Sequence, residues 1–202
     1  NALKIYQGKP TISPAACASG FASRHPPFPG SSGATGVRQP PRPPKSDESA
    51  LNAYFGEPTK NYPHLKIIEV PYEMVLSWEL AQTVSKISCH KKVADPMLMA
   101  LSAILKEFGS DGILEHGLHL YGGCFNHRRM RGGSSWSLHA YGAAIDLNPD
   151  ENGLRTPWLE DKIGEPGYAT MPVKAIECFE EYGFISGARA WNRDGMHYQY
   201  TK

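Results

Sequence analysis

Ser137-Leu-His139-Ala-Tyr-Gly142-Ala-Ala-Ile-Asp146 and, later in the chain, Asp194-Gly-Met-His197 hold the residues best suited to chemistry. Two imidazole nitrogens, from His139 and His197, and a carboxylate oxygen from Asp146 fill three corners of a tetrahedron around Zn2+. Water takes the fourth corner, which is the open arrangement of a catalytic site. Such an ion lowers the pKa of its water to roughly 7. A neighbouring carboxylate, Asp194, is then suited to take the proton and pass it to a leaving amine. The chemistry is that of a zinc hydrolase, with no need of a cysteine nucleophile.

These residues can meet only if the chain folds back. His139 and Asp146 are seven positions apart, about 23 Å along a straight strand at ~3.3 Å per residue. Gly142 supplies a turn, so that His139 ends one strand and Asp146 sits on the next. A continuous helix would put them on one face but ~10.5 Å apart along the axis. Asp194 and His197 point to opposite faces of a regular strand, so a kink is needed there, and Gly195 is expected to provide it.

The elements that must carry these residues have readable signals. Leu65-Lys-Ile-Ile-Glu-Val70 reads as a short strand ending at Pro71, while residues 73–87 fit either helix or strand. Asp95-Pro96 opens a helix with Met97, Leu101, Ile104, Leu105 and Phe108 at helical spacing, and Gly109 ends it. A second helix is expected over residues 172–182, after Thr170 as cap, with Val173, Ile176 and Phe179 inward and Gly183 as its stop. Residues 117–121, 143–147 and 188–200 read as strands between Gly-rich turns. Helices and strands come in blocks, so the expected class is α+β: a small antiparallel β-sheet flanked by α-helices, with the zinc site in an open cleft.

The first 45 residues are different material. They hold nine of the chain's 17 prolines and six Lys or Arg, with no Asp or Glu, leaving 15 basic against 20 acidic residues in positions 46–202. The near-neutral total therefore conceals a basic arm on an acidic domain. An extended proline-rich N-terminal arm or linker is expected over residues 1–48, and a globular domain over residues 49–202. The arm's charge suits a solvated linker, or a tether to an anionic surface or protein partner. No run reaches the ~18 apolar residues of a membrane span, and residues 1–16 show no apolar stretch of signal-peptide type. Cys17, Cys89, Cys124 and Cys178 form no Cys-x-x-Cys clip and read as buried free thiols. His116 and His119 read as strand or loop residues rather than ligands, and His90 as a residue outside the metal site.

Ser137-x-His139-x-x-Gly142-x-Ala144-x-Asp146 followed by Asp194-x-x-His197 resembles the zinc peptidases that include D-alanyl-D-alanine carboxypeptidases, vancomycin-resistance D,D-dipeptidases and phage L-alanyl-D-glutamate endolysins, a group with a Hedgehog-like fold. Gly122-Gly-Cys-Phe-Asn126-His-Arg128-Arg-Met-Arg131-Gly-Gly looks like the segment preceding the first zinc histidine in the endolysin-like branch. Leu147-Asn-Pro149, Met171-Pro172 and Gly183-Phe184 extend the likeness over roughly residues 50–200.

The resemblance implies zinc ligands at His139, Asp146 and His197, and a general base at Asp194, where many members carry Glu. It implies Arg128 beside the scissile carbonyl, holding substrate and stabilising the oxyanion. Ser137 would support the site or touch substrate, and Trp191 would wall the cleft. A second departure is His127, where proline is common. The implied activity is hydrolysis of a peptide-stem amide of bacterial peptidoglycan on the periplasmic or extracellular side, by a phage- or bacterium-encoded enzyme. The endolysin-like cut is favoured over the carboxypeptidase one. A zinc-stabilised cell-wall-binding or virion module is the alternative of another class. Arg128-Arg-Met-Arg131 sits in an acidic domain without a nucleic-acid motif, so substrate carboxylates suit it better.

Overall fold

The computed structural model describes residues 42–202; Cys17 and the arm up to residue 41 lie outside the described residues. In chain order the elements are α1 (Glu48–Phe55), β1 (Leu65–Leu76), β2 (Glu79–His90), α2 (Ala94–Glu115), β3 (Leu120–Gly123), a 3-10 turn (Leu138–Tyr141), β4 (Ala144–Leu147), a second 3-10 turn (Glu160–Lys162), α3 (Val173–Glu180), β5 (Ile185–Ser186), α4 (Gly187–Trp191) and β6 (His197–Gln199). The class is α+β. The six strands form one sheet in the order β2-β1-β3-β4-β6-β5.

The sheet is mixed rather than antiparallel throughout, because β1 and β3 pair in parallel. The long α2 lies between them in sequence and makes that crossover. β1 also runs past Pro71 to Leu76 and forms a hairpin with β2, which settles residues 73–87 as two strands joined by a turn at 77–78. The register between β1 and β2 slips between Glu69 and Met74, so the missing N–H of Pro71 falls where the ladder is already interrupted.

α2 buries Met97, Ala100, Leu101 and Ile104 and packs on β1 and α3. Gly109 (φ 61°) breaks its helical path as expected, but the chain resumes helix to Glu115. α3 needs no side-chain cap: Pro172 occupies the N-cap position, and Thr170 is bonded to Asn152 and Glu151 instead. Phe179 of α3 stacks on Tyr198 of β6, with centroids 4.0 Å apart. Burying a side chain of that size is worth about 1.5–3 kcal/mol, and here it presses β6 into register. The segment read as strand over residues 188–200 is α4 followed by a turn and β6. Cys89, Cys124 and Cys178 are buried free thiols, and burial pushes the Cys89 thiol up to about 12.

His90, at the end of β2, joins three parts of the core. Its Nε2–H donates to the Phe55 carbonyl at 3.1 Å and its Nδ1 accepts from the Lys92 amide at 3.0 Å. Its backbone N–H donates to the Gly142 carbonyl at 2.8 Å. Burial lowers this ring to about 4, despite the opposing hydrogen bond to Phe55. The neutral ring is therefore the folded-state form, and its stabilisation is complete above pH ~6.5 and lost as pH falls through about 4. Between pH 7 and 4.5 the linkage amounts to about 2 kcal/mol. Urea titrations with chelator present should show a slope larger by that amount in the parent than in His90→Gln. Identical slopes would contradict the assignment.

Candidate metal centre

His139 lies on a 3-10 turn, not at a strand end. Ser137 caps that turn, its Oγ accepting from the His139 amide at 3.4 Å. Gly142 closes it in the left-handed region (φ 64°), and a Cβ there would stand 2.8 Å from the His90 nitrogen. Turn chemistry thus reverses the chain at Gly142, and Tyr141 anchors the turn by donating to Asn52 of α1 at 2.7 Å. Asp146 follows on β4, directly opposite His197 in the β4–β6 ladder. β3 can approach Asp146 because Gly122 has no side chain: a Cβ would lie 2.9 Å from that of Asp146.

The three side chains converge. His139 Nε2 is 3.3 Å from Asp146 Oδ2, His197 Nδ1 is 2.9 Å from Asp146 Oδ1, and the two ring nitrogens are 3.3 Å apart. A tetrahedral ion with ligand bonds of 2.0–2.1 Å needs donors about 3.3–3.4 Å from one another. Among the described residues this is the one His/Cys/Asp/Glu group with such a geometry.

The outer partners fix which nitrogens face inward. His139 Nδ1 lies 2.7 Å from the Cys124 carbonyl, which can only accept, so Nδ1 carries the proton and Nε2 is a bare lone pair. His197 Nε2–H donates to Gln199 Oε1 at 3.2 Å, while Gln199 Nε2 donates to Thr201 Oγ1 at 2.7 Å and so orients the amide. His197 Nδ1 is then the second bare lone pair. Two lone pairs and a carboxylate facing one another repel unless a cation lies between them. The residues therefore fit Zn2+.

Burial alone would raise the Asp146 carboxyl, but the rings, His139 foremost, hold it well below the usual carboxylate range. Burial likewise opposes charge on His197, yet Asp146 and then Asp194 raise that ring. Both shifts report a cavity that attracts positive charge.

Asp194 enters from the turn before β6. The kink is at Asp194 itself (φ 58°) rather than at Gly195, and its carbonyl accepts from the His197 amide at 3.0 Å. The residue is 6% exposed, and Oδ1 is buried without a hydrogen-bond partner. Burial raises this carboxyl; His197 opposes that, and Asp146 adds to it. An unpartnered acid held in a strained backbone is a feature that functional sites retain and packing does not favour.

His139, Asp146, Asp194, His197, Arg128, Ser137 and Trp191 all line one cleft of about 600 Å³. Trp191 is 43% exposed, with its ring 5.9 Å from that of His197. Arg128 belongs to a hairpin closed by Ser137 N–H to the Arg128 carbonyl at 3.2 Å. Arg129 of that hairpin lies 3.6 Å above Trp136. His127 rests against Trp136 at 4.7 Å. His116, His119 and His90 lie outside the cleft lining.

Residues 131–200 match a family model described as D-alanyl-D-alanine carboxypeptidase. The match contains His139, Asp146, Asp194 and His197, and it supports a metallopeptidase of that zinc peptidase superfamily. No curated protein and no solved structure matches the chain.

Gln199 and the Cys124 carbonyl were not singled out from the sequence. Gln199 could have been, since it lies two residues from His197 and hence on the same strand face; a backbone carbonyl leaves no such signal. Gln199→Leu should weaken zinc binding about 10–100-fold by freeing the ring, as read by competition with a chromogenic chelator. Unchanged affinity would show that the ring is oriented by other contacts.

Proposed function

We propose that this chain is a zinc-dependent peptidase that cleaves an amide bond in the peptide stem of bacterial peptidoglycan, acting on the wall outside the cytoplasmic membrane. The observation that carries this reading is the convergence of three inward-facing donors and the unpartnered Asp194 on one cleft. Zinc held by His139, Asp146 and His197 would supply a Lewis acid and a water acidified to roughly pKa 7.

The remaining steps belong to the chain's own groups. Asp194, with its raised proton affinity, accepts the proton of the attacking water and delivers it to the amine nitrogen as the C–N bond breaks. Arg128 holds the carbonyl or a neighbouring carboxylate through a two-pronged guanidinium contact. Trp191 supplies an apolar wall that excludes water, and Ser137 keeps His139 in place through its cap.

Two scissile bonds are compatible with this apparatus. The family description favours the terminal D-alanyl-D-alanine amide. The segment from Gly122 to Arg131 is the feature that favours an internal L-alanyl-D-glutamate cut, and the family match lends that preference no support. Mass spectrometry of digested peptidoglycan separates them: release of free D-Ala indicates the carboxypeptidase, and new amino termini indicate the endopeptidase. Intact stems in every digest would defeat the reading. A cell-wall-binding or virion module with purely structural zinc would have no use for a buried carboxylate without a partner.

A further inference from the structure

Of the arginines from Arg128 onward, Arg129 pairs with Glu48 and Arg189 with Glu177 and Glu180. Arg128, Arg131 and Arg155 form no ion pair with a carboxylate among the described residues, Arg193 acts on Asp194, and the four line two neighbouring cavities. Arg128, Arg131 and Arg193 line the metal cleft. Arg131 and Arg155 line an adjoining cavity of about 530 Å³, together with Gly132, Gly153, Leu154 and Thr156. Arg131 and Leu154 border both, so the cavity adjoins the cleft, and no residue of the metal group lines it.

This cationic lining is not a by-product of overall charge, since residues 46–202 carry more acid than base. Within the cleft only Asp194 faces these cations, with Arg193 acting on it, and none of the cleft carboxylates lines the outer cavity of Arg131 and Arg155. Asp47 is committed to capping α1 through the Ala50 amide, Glu48 is held by Arg129, and Asp146 by the two histidines. The backbones presenting the two outer arginines are braced. Met130 N–H donates to the Ser135 carbonyl at 2.9 Å, Thr156 N–H donates to the Gly153 carbonyl at 2.9 Å, and Pro157 bridges to Arg193. Guanidinium groups on fixed backbone lose little freedom when they grip an oxyanion.

We infer that Arg131 and Arg155 form a second anion subsite, which takes a side-chain or branch carboxylate of the peptide substrate displaced along the cleft from the bond that is cut. The inference rests on the peptidase reading, because a peptide lying over the metal group would pass Arg131, which borders both cavities. Phosphate would suit two guanidiniums as well; an acidic peptide is favoured because the cavity adjoins an amide-hydrolysing cleft.

Two synthetic peptides test it: acetyl-L-Ala-γ-D-Glu-L-Lys-D-Ala-D-Ala with the D-Glu α-carboxyl free, and the same peptide with that carboxyl amidated. Binding is measured by calorimetry to the zinc-loaded full chain carrying Asp194→Asn, so that neither peptide is consumed. The free acid should bind about 10-fold tighter than the amide, and Arg131→Gln with Arg155→Gln should abolish the difference while leaving affinity for the amide unchanged. Equal affinity of the unsubstituted arginine site for both peptides, or equal weakening of both by the arginine changes, overturns the subsite. If the peptidase reading fails instead, the parent cleaves neither peptide in a chelator-sensitive manner, whatever the binding result.

Discussion

Asp194→Asn should lower the hydrolysis rate by about 10²–10⁴-fold, the range typical of a lost general base, while leaving bound zinc unchanged. The substitution suits this position physically. Asn is nearly the same size, and it tolerates the left-handed backbone that Asp194 adopts at φ 58°. It also removes a buried carboxylate that burial makes harder to ionise. A raised acid costs stability once pH exceeds its ordinary value, so at pH 7 the variant should unfold no more easily than the parent. Activity should fall while the melting temperature holds or rises, and that opposition separates a catalytic loss from misfolding. Steady-state rates on a stem peptide, zinc content and thermal melts are sufficient; undiminished turnover would remove Asp194 from the mechanism.

His139→Ala should weaken zinc binding by more than the about 10–100-fold expected when only a partner that orients a ligand is lost, because it deletes one of three donors. It also leaves Asp146 buried with a single ring beside it, where two now hold its charge. In the parent, saturating zinc at ~1,000 times its dissociation constant contributes about 4 kcal/mol to unfolding. Chelation should therefore lower the parent's melting temperature sharply and leave that of His139→Ala nearly unmoved. Metal analysis by mass spectrometry gives the direct reading, and full zinc occupancy in the variant would exclude His139 as a ligand.

The site was more legible in the sequence than the sheet that holds it. His139, Asp146, Asp194 and His197 could be singled out because, together with Ser137, Gly142 and Leu147-Asn-Pro149, they resemble one zinc peptidase family; the His-x6-Asp and Asp-x-x-His spacings alone are common. Gly142 does turn the chain, at φ 64°, but through a 3-10 turn that a strand reading could not anticipate. The parallel pairing of β1 and β3 was not readable, since it depends on where α2 lays its crossover and not on any residue of β3. Pro71 misled for a physical reason: proline ends a strand only where its N–H is needed, and the register slip removes that need. The kink at Asp194 was placed one residue late, on Gly195, because glycine is the ordinary bearer of positive φ; here the acid itself bears it.

The most direct test of the central claim is a zinc titration of chelator-stripped protein, followed by the rate of stem-peptide cleavage. Cleavage should be at background without metal and rise linearly with added zinc until one ion is bound per chain. Full cleavage by the stripped protein, or a rate indifferent to added zinc, would contradict the assignment of His139, Asp146 and His197 as a catalytic metal centre.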